Sequence, residues 1–173
     1  VNNKIQYTEQ AKLNLADVHQ EVLEQWNAEG MFHKSIEERE GCPQFIFFEG
    51  PPSANGHPGI HHVMGRTIKD TFLRYKTMQG FQVKRKAGWD THGLPVELSV
   101  EKSLGITKED IGKKISVDDY NDACRKNVMM YTDEWTQLTN KMGYWVDLEH
   151  PYITYDNKYI ESLWYLLKQL YGK

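Results

Sequence analysis

Cysteine is scarce in this chain: two residues in 173, Cys42 and Cys124. They lie far apart and form no Cys-x-x-Cys pair. That excludes a disulfide-stapled scaffold and a thiolate zinc site, and it fits free thiols in a reducing, cytoplasmic setting. Long apolar runs are missing as well. None approaches the roughly 20 residues that a bilayer crossing needs, and the N-terminus has no signal-peptide pattern, so no membrane partner is expected. Neither sign of charge dominates: Lys and Arg total 21 against 24 for Asp and Glu, a net charge of −3. Such a balance gives no basic footprint for direct nucleic-acid binding. Internal repeats and low-complexity linkers are absent. What is present is aromatic, 12% of residues with five Trp, in a length that suits one domain with a real core.

Residues 1–13 are polar and read as a loose start. Asn14 is placed to cap a helix over 15–29, with Val18, Val22 and Trp26 above one another and Gly30 as the stop. Residues 33–43 are charged and read as loop. Phe45-Ile-Phe-Phe48 is a short apolar run of the kind a strand covered on both faces shows. A helix follows to about Met78, with Met64, Ile68, Phe72 and Tyr75 at helical spacing and Gly80 as its end. Phe81-Gln-Val-Lys-Arg-Lys86 reads as a second strand. Strand, crossover helix and strand form a βαβ unit, hence a parallel sheet. Further on, Pro95 suits the first turn of a helix that stops near Gly105, and Thr107-Lys-Glu-Asp110 reads as a capping box. A long helix is expected from Ser116 to about Met142, with Gly143 as its stop. Asp156 opens a last helix carrying Ile160, Leu163, Trp164, Leu167 and Tyr171. Only two strands are visible, a thin sheet for a complete doubly wound domain.

Function concentrates in two bends. Phe45-Ile-Phe-Phe-Glu-Gly-Pro-Pro-Ser-Ala-Asn-Gly-His-Pro-Gly-Ile-His-His62 reads as strand, turn and helix start. Free N–H groups and the helix dipole make such a start an anion site. Pro51 and Pro52 stiffen the exit from the strand, Asn55-Gly56 is a strong turn pair, and Gly59 permits a close approach of ligand to backbone. His57, His61 and His62 fall within six residues. Their spacing matches no usual zinc pattern and no Cys is adjacent, so phosphate is favoured over metal. Taken alone, the Gly-Pro-Pro turn fits an empty connection equally well. The second bend is Gly88-Trp-Asp-Thr-His-Gly-Leu-Pro-Val-Glu97, where a Gly-flanked carboxylate, Asp90, is placed to hold an ammonium group. The plain alternative is that Asp90 caps the next helix and His92 packs quietly. Both bends, 50–59 and 88–93, fall at the carboxyl ends of strands, where ligands of parallel sheets sit. Lys84, Arg85 and Lys86 read as a solvated strand end, and the Trp and Tyr residues of 117–171 as core.

Together, Gly50-Pro-Pro-Ser-Ala-Asn-Gly56, the histidine motif, Gly88-Trp-Asp-Thr-His-Gly-Leu-Pro-Val-Glu97 and Met142-Gly-Tyr-Trp-Val-Asp147 occur in the order and spacing of class I aminoacyl-tRNA synthetases. The chain resembles that family from its first helix to its last, and its Gly-Trp-Asp-x-His-Gly-Leu-Pro form is similar to the isoleucine branch rather than the valine or leucine branches. The resemblance implies an α/β, Rossmann-like parallel sheet with flanking helices. Residues 1–43 would be a helix and loop packed on the first half of the catalytic fold, 44–173, as one structural unit. It also implies an N-terminal portion that lacks the editing insertion, the second half with its Lys-Met-Ser-Lys-Ser loop, and the anticodon domain. Alone it would be weakly active or inactive.

The activity implied is activation of isoleucine with ATP, accompanied by Mg2+, and transfer to tRNA through the full-length enzyme. No metal is expected on this segment itself. By motif position Gly50, Pro51, Asp90 and His92 would bind isoleucine, with Asp90 on its ammonium. Pro52, Ser53, Asn55, Gly56, Gly59 and His62 would bind ATP, and His62 and His61 would be catalytic. A valine- or leucine-type synthetase, or a stand-alone nucleotide-binding module, is the alternative. One departure stands out. The family's His-x-Gly-His is here Gly59-Ile60-His61-His62, with the first histidine and the glycine exchanged. Three outcomes are open: His61 swings outward to replace the lost donor, the pocket is reshaped but active, or activation is impaired. A working, reshaped pocket is the expectation.

Overall fold

A computed structural model describes residues 12–173, so most of the polar opening segment lies outside the described residues. In chain order the elements are α1 (Leu15–Glu29), α2 (Met31–Glu37), β1 (Gln44–Phe48), α3 (Ile60–Met78), β2 (Gln82–Trp89), α4 (Leu94–Leu104), a 3-10 turn (Lys108–Asp110), α5 (Val117–Val128), α6 (Thr132–Lys141), β3 (Asp147–Ile153) and α7 (Asn157–Tyr171). The three strands form one parallel sheet in the order β1-β2-β3. This is the α/β parallel arrangement expected from the strand–helix–strand pattern.

The helix ends follow side-chain chemistry. Asn14 accepts the Ala16 N–H at 3.1 Å and caps α1. Gly30 closes α1 in the left-handed region at φ 62°, where a side chain would be strained. Contrary to the loop reading of 33–43, that same glycine also opens α2. Phe32 of α2 packs on Trp145, which explains a helix among charged neighbours. The Thr107–Asp110 capping box is formed, with the Thr107 N–H donating to Asp110 at 2.9 Å.

The long helix expected over 116–142 is two helices, α5 and α6. The chain turns at 129–131, where the Tyr131 N–H leaves the helical ladder and donates to Ala54 O at 3.0 Å. A third strand, β3, joins the two that the sequence pattern shows. It pairs with the far side of β2, with a register shift between Lys86 and Gly88.

Strand β1 is not covered on both faces. Its residues alternate, and Ile46 and Phe48 are exposed beside Lys84 and Lys86 of β2. The opposite face is the covered one, carrying Val83, Arg85, Ala87 and Trp89. Helix α3 turns Arg66, Leu73 and Thr77 inward, while Met64, Ile68, Phe72 and Tyr75 are exposed. On α7, Leu163, Trp164, Leu167 and Tyr171 are exposed too, so the core reading of the late aromatics holds for Tyr120, Trp135 and Tyr144 but not for that helix.

Arg85 corrects the reading of the basic run as solvated. Alternation along β2 sends it to the opposite face from its two lysine neighbours, where it is 2% exposed. It donates to Asp70 Oδ1 at 3.2 Å, Thr77 Oγ1 at 2.9 Å and the Trp145 carbonyl at 3.3 Å. Burial lowers its pKa to about 10 against the pull of Asp70, which still leaves it charged at neutral pH. Next to it, Arg74 lies over the paired rings of Trp26 and Trp145, at 4.6 and 3.9 Å from their centres, and so ties α1 to the segment entering β3.

Candidate active site

Parallel pairing of β1 with β2 puts both glycine-bearing bends at one rim. Past the ends of the strands they still touch: the Asp90 N–H donates to Pro52 O at 3.0 Å, and Ser53 bridges to Asp90 in the parallel sense. Gly50, Pro51, Pro52 and Ser53 of the first bend and Asp90 of the second therefore share one margin of the sheet.

The first bend is braced from α6. Ala54 is fully buried against Trp89 and Trp135, and the Trp135 indole N–H donates to Gly56 O at 2.9 Å. Asn55 sits between these two anchored residues. His57 leaves the histidine group: its Nδ1 is 2.7 Å from Glu134 Oε2, and its ring meets Tyr131 edge-on. Tyr131, Glu134 and Trp135 hold the bend, whereas the sequence reading takes Tyr131 and Trp135 as core and gives Glu134 no role. Their role becomes visible when the turn at 129–131 is known.

At the start of α3 the Gly59 N–H donates to His62 Nδ1 at 2.9 Å. That contact makes His62 Nδ1 the acceptor and leaves its proton on Nε2. Partial burial holds the His62 pKa below the ordinary imidazole value, helped by His61 and Arg66, so His62 is neutral at pH 7. Its ring lies edge-on to Trp135, with centroids 4.7 Å apart.

His61 is packed against its neighbour, with ring centroids 3.8 Å apart. It also folds back over Gly59: a Cβ at residue 59 would stand 2.8 and 2.9 Å from its Cε1 and Nδ1. The imidazole of residue 61 thus fills the space that a side chain at residue 59 would enter.

In the second bend, Asp90 does not cap α4. That helix begins after Gly93, whose φ of 103° needs glycine, and among the described residues Asp90 Oδ1 accepts only the His92 N–H, at 3.3 Å. His92 is exposed but not idle, since its Nδ1 lies 2.9 Å from Thr154 Oγ1. Thr154 also receives the Thr91 N–H at 2.9 Å, which fastens the bend to the end of β3.

Over residues 21–173 the chain matches the family described as tRNA synthetases class I (I, L, M and V). The chain belongs to the class I tRNA synthetases. Isoleucine–tRNA ligases are its similar relatives: 72% identity with that of Bacteroides thetaiotaomicron over 96% of this chain and 14% of the relative, and 68% with that of Porphyromonas gingivalis over 96% and 15%. The chain therefore spans about one seventh of the length of these relatives. Among solved structures, the LeuRS of Agrobacterium radiobacter K84, in a ternary complex with tRNA and LeuAMS, aligns with a TM-score of 0.63 at 19% identity, over 93% of this chain and 18% of that one. That likeness concerns the fold. Among the described residues, no helix is long and apolar enough to cross a membrane.

Proposed function

We propose that this chain is the N-terminal part of the catalytic domain of an isoleucine–tRNA ligase, with 1–43 and 44–173 forming one unit, working in the cytoplasm. The protein it belongs to activates isoleucine with ATP and passes it to its tRNA. The observation that carries this reading is the meeting of the two bends through Asp90 N–H and Pro52 O. It brings an anion-binding helix start and a carboxylate to one rim, as the two ends of the reaction require. Isoleucine lies against Gly50 and Pro51, with its ammonium on Asp90 and His92 behind it. ATP, with Mg2+ on its phosphates, lies along Pro52, Ser53, Asn55, Gly56 and Gly59. The amino-acid carboxylate attacks the α-phosphorus, the bond to the bridging oxygen breaks, and pyrophosphate leaves. His62, neutral and donating from Nε2, meets the developing phosphate charge, and His61 stands beside it. Positioning and charge stabilisation supply most of the rate in such a step.

Exchange of labelled pyrophosphate into ATP by the full-length protein tests the reading. Isoleucine is expected to support exchange, and valine to support it more weakly, by the roughly 1–3 kcal/mol that one methylene is worth in an apolar pocket. Exchange that none of isoleucine, valine or leucine stimulates overturns it, and a preference for leucine or valine reassigns the substrate.

The exchanged motif has its own expected result. Because His61 already fills the space over Gly59, the double substitution Gly59→His with His61→Gly should stay within about tenfold of native exchange, or roughly 1.4 kcal/mol. Gly59→His alone should fall further, as two imidazoles then compete for one space. A rise of orders of magnitude in the double variant would instead mark the native motif as a defect.

A further inference from the structure

Glu49 immediately precedes the Gly50-Pro51-Pro52 bend and is 3% exposed. It is too deep to touch a substrate, and no role proposed above uses it. Each of its polar groups is nevertheless engaged, and each by a different part of the fold. One carboxylate oxygen accepts from Lys69 Nζ of α3, and the other from the Tyr144 hydroxyl ahead of β3. Its N–H donates to Lys86 O of β2 at 2.8 Å, and its carbonyl accepts from the Tyr152 hydroxyl of β3. Burial, and the hydrogen bond to Glu49, push the Tyr144 hydroxyl well above its ordinary pKa, so it remains a donor throughout the working range.

The far half of the bend is held from α6 through Ala54 and Gly56, whereas its start at Gly50-Pro51-Pro52 follows directly on Glu49. Pro51 and Pro52 offer no N–H. Lys69, in turn, stands two turns beyond His62 on the same helix. The Glu49–Lys69 ion pair therefore links the bend assigned to the amino acid with the helix assigned to the phosphates. Glu49 is buried while Lys69 keeps partial access to solvent, so desolvation of the carboxylate offsets much of the attraction and the pair adds little net stability. Its place under a site rim suits a geometric duty better.

We propose that Glu49 is a positioning residue for amino-acid activation, setting the distance between the Gly50-Pro51-Pro52 bend and His62 on α3. The proposal rests on the functional reading above. Two variants of the full-length protein test it, Glu49→Gln and Lys69→Met, by isoleucine-dependent pyrophosphate exchange run well below the thermal midpoint of each. Glu49→Gln keeps the volume and a hydrogen bond to Tyr144 but removes the charge. It is expected to lower kcat by roughly 100-fold, the cost of about 1 Å of misplacement, with KM for isoleucine and ATP nearly unchanged. Lys69→Met should act in the same direction, and the double variant should be no worse than the poorer single one, since both break one link. If Glu49→Gln fails to fold, Lys69→Met decides by the same kcat–KM split. Native kcat in a folded variant overturns the positioning role and leaves the functional reading standing. A native full-length protein without isoleucine-dependent exchange overturns both.

Discussion

Asp90→Ala, in the full-length protein, is expected to reduce kcat/KM for isoleucine by about 100- to 1000-fold, in line with the 2–5 kcal/mol that removing one partner of a buried charge pair costs. The fold should barely notice. What joins the two bends is the backbone N–H of residue 90 on Pro52 O, and alanine keeps that N–H. Among the described residues the carboxylate contributes one long hydrogen bond, 3.3 Å from the His92 N–H. Stability should therefore stay within about 0.5 kcal/mol of native, as for substitutions away from buried networks. Steady-state exchange kinetics against isoleucine concentration, beside a thermal melt, check both halves. Unchanged isoleucine kinetics would remove Asp90 from the ammonium site, and a large fall in the melting midpoint would make its role structural.

Gly88→Ala acts on the scaffold instead, and is expected to cost about 3 kcal/mol or more, the upper range for overpacking a filled site. A Cβ at residue 88 would stand within 2.8 Å of Cζ, Cε1 and Cε2 of the Tyr152 ring, far inside van der Waals contact. That ring has little freedom to yield. Its hydroxyl donates to Glu49 O, Tyr159 stacks on it with centroids 5.8 Å apart, and Phe48 meets it edge-on at 6.0 Å. Tyr152 thus crosses from β3 over a bare position in β2 to reach the end of β1. Chemical denaturation of native, Gly88→Ala, Tyr152→Ala and the double variant reads the coupling. The double variant should be more stable than the sum of the two losses implies. Simple additivity would show that the ring moves aside at no cost.

Much of this architecture was legible in local chemistry. Asn14 and Gly30 bounded the first helix, and apolar runs around a glycine-rich turn gave two strands and their crossover. The place where the bends meet followed from parallel pairing alone. What escaped has identifiable causes. Pro151, with Asp147, Glu149 and His150, disguised β3, because proline and charge argue against a strand. At a sheet edge, beside an irregular register, both are tolerated. The break between α5 and α6 carries neither Pro nor Gly and arises from a bond to Ala54, which no local pattern reports. Arg85 looked solvated because three basic residues in a row suggest one face, whereas a strand divides them between two. The brace from Tyr131, Glu134 and Trp135 was hidden for the same reason as the helix break. In the other direction, the exchange of glycine and histidine at 59 and 61 was visible as letters, but the way one ring stands in for a missing side chain is a fact of three dimensions.

The anchors of the first bend have a temporal side. Gly56 waits for Trp135, 79 residues later, and Glu49 waits for Tyr144 and Tyr152, 95 and 103 residues later. During synthesis Lys69, Lys86 and Asp90 reach the proline bend first, but Trp135, Tyr144 and Tyr152 leave the ribosome much later, so the bend is fully braced only once the third strand has emerged. Distant pairings of this kind slow folding, and a nascent chain paused before Tyr152 carries both bends of the rim without the strap that shapes them.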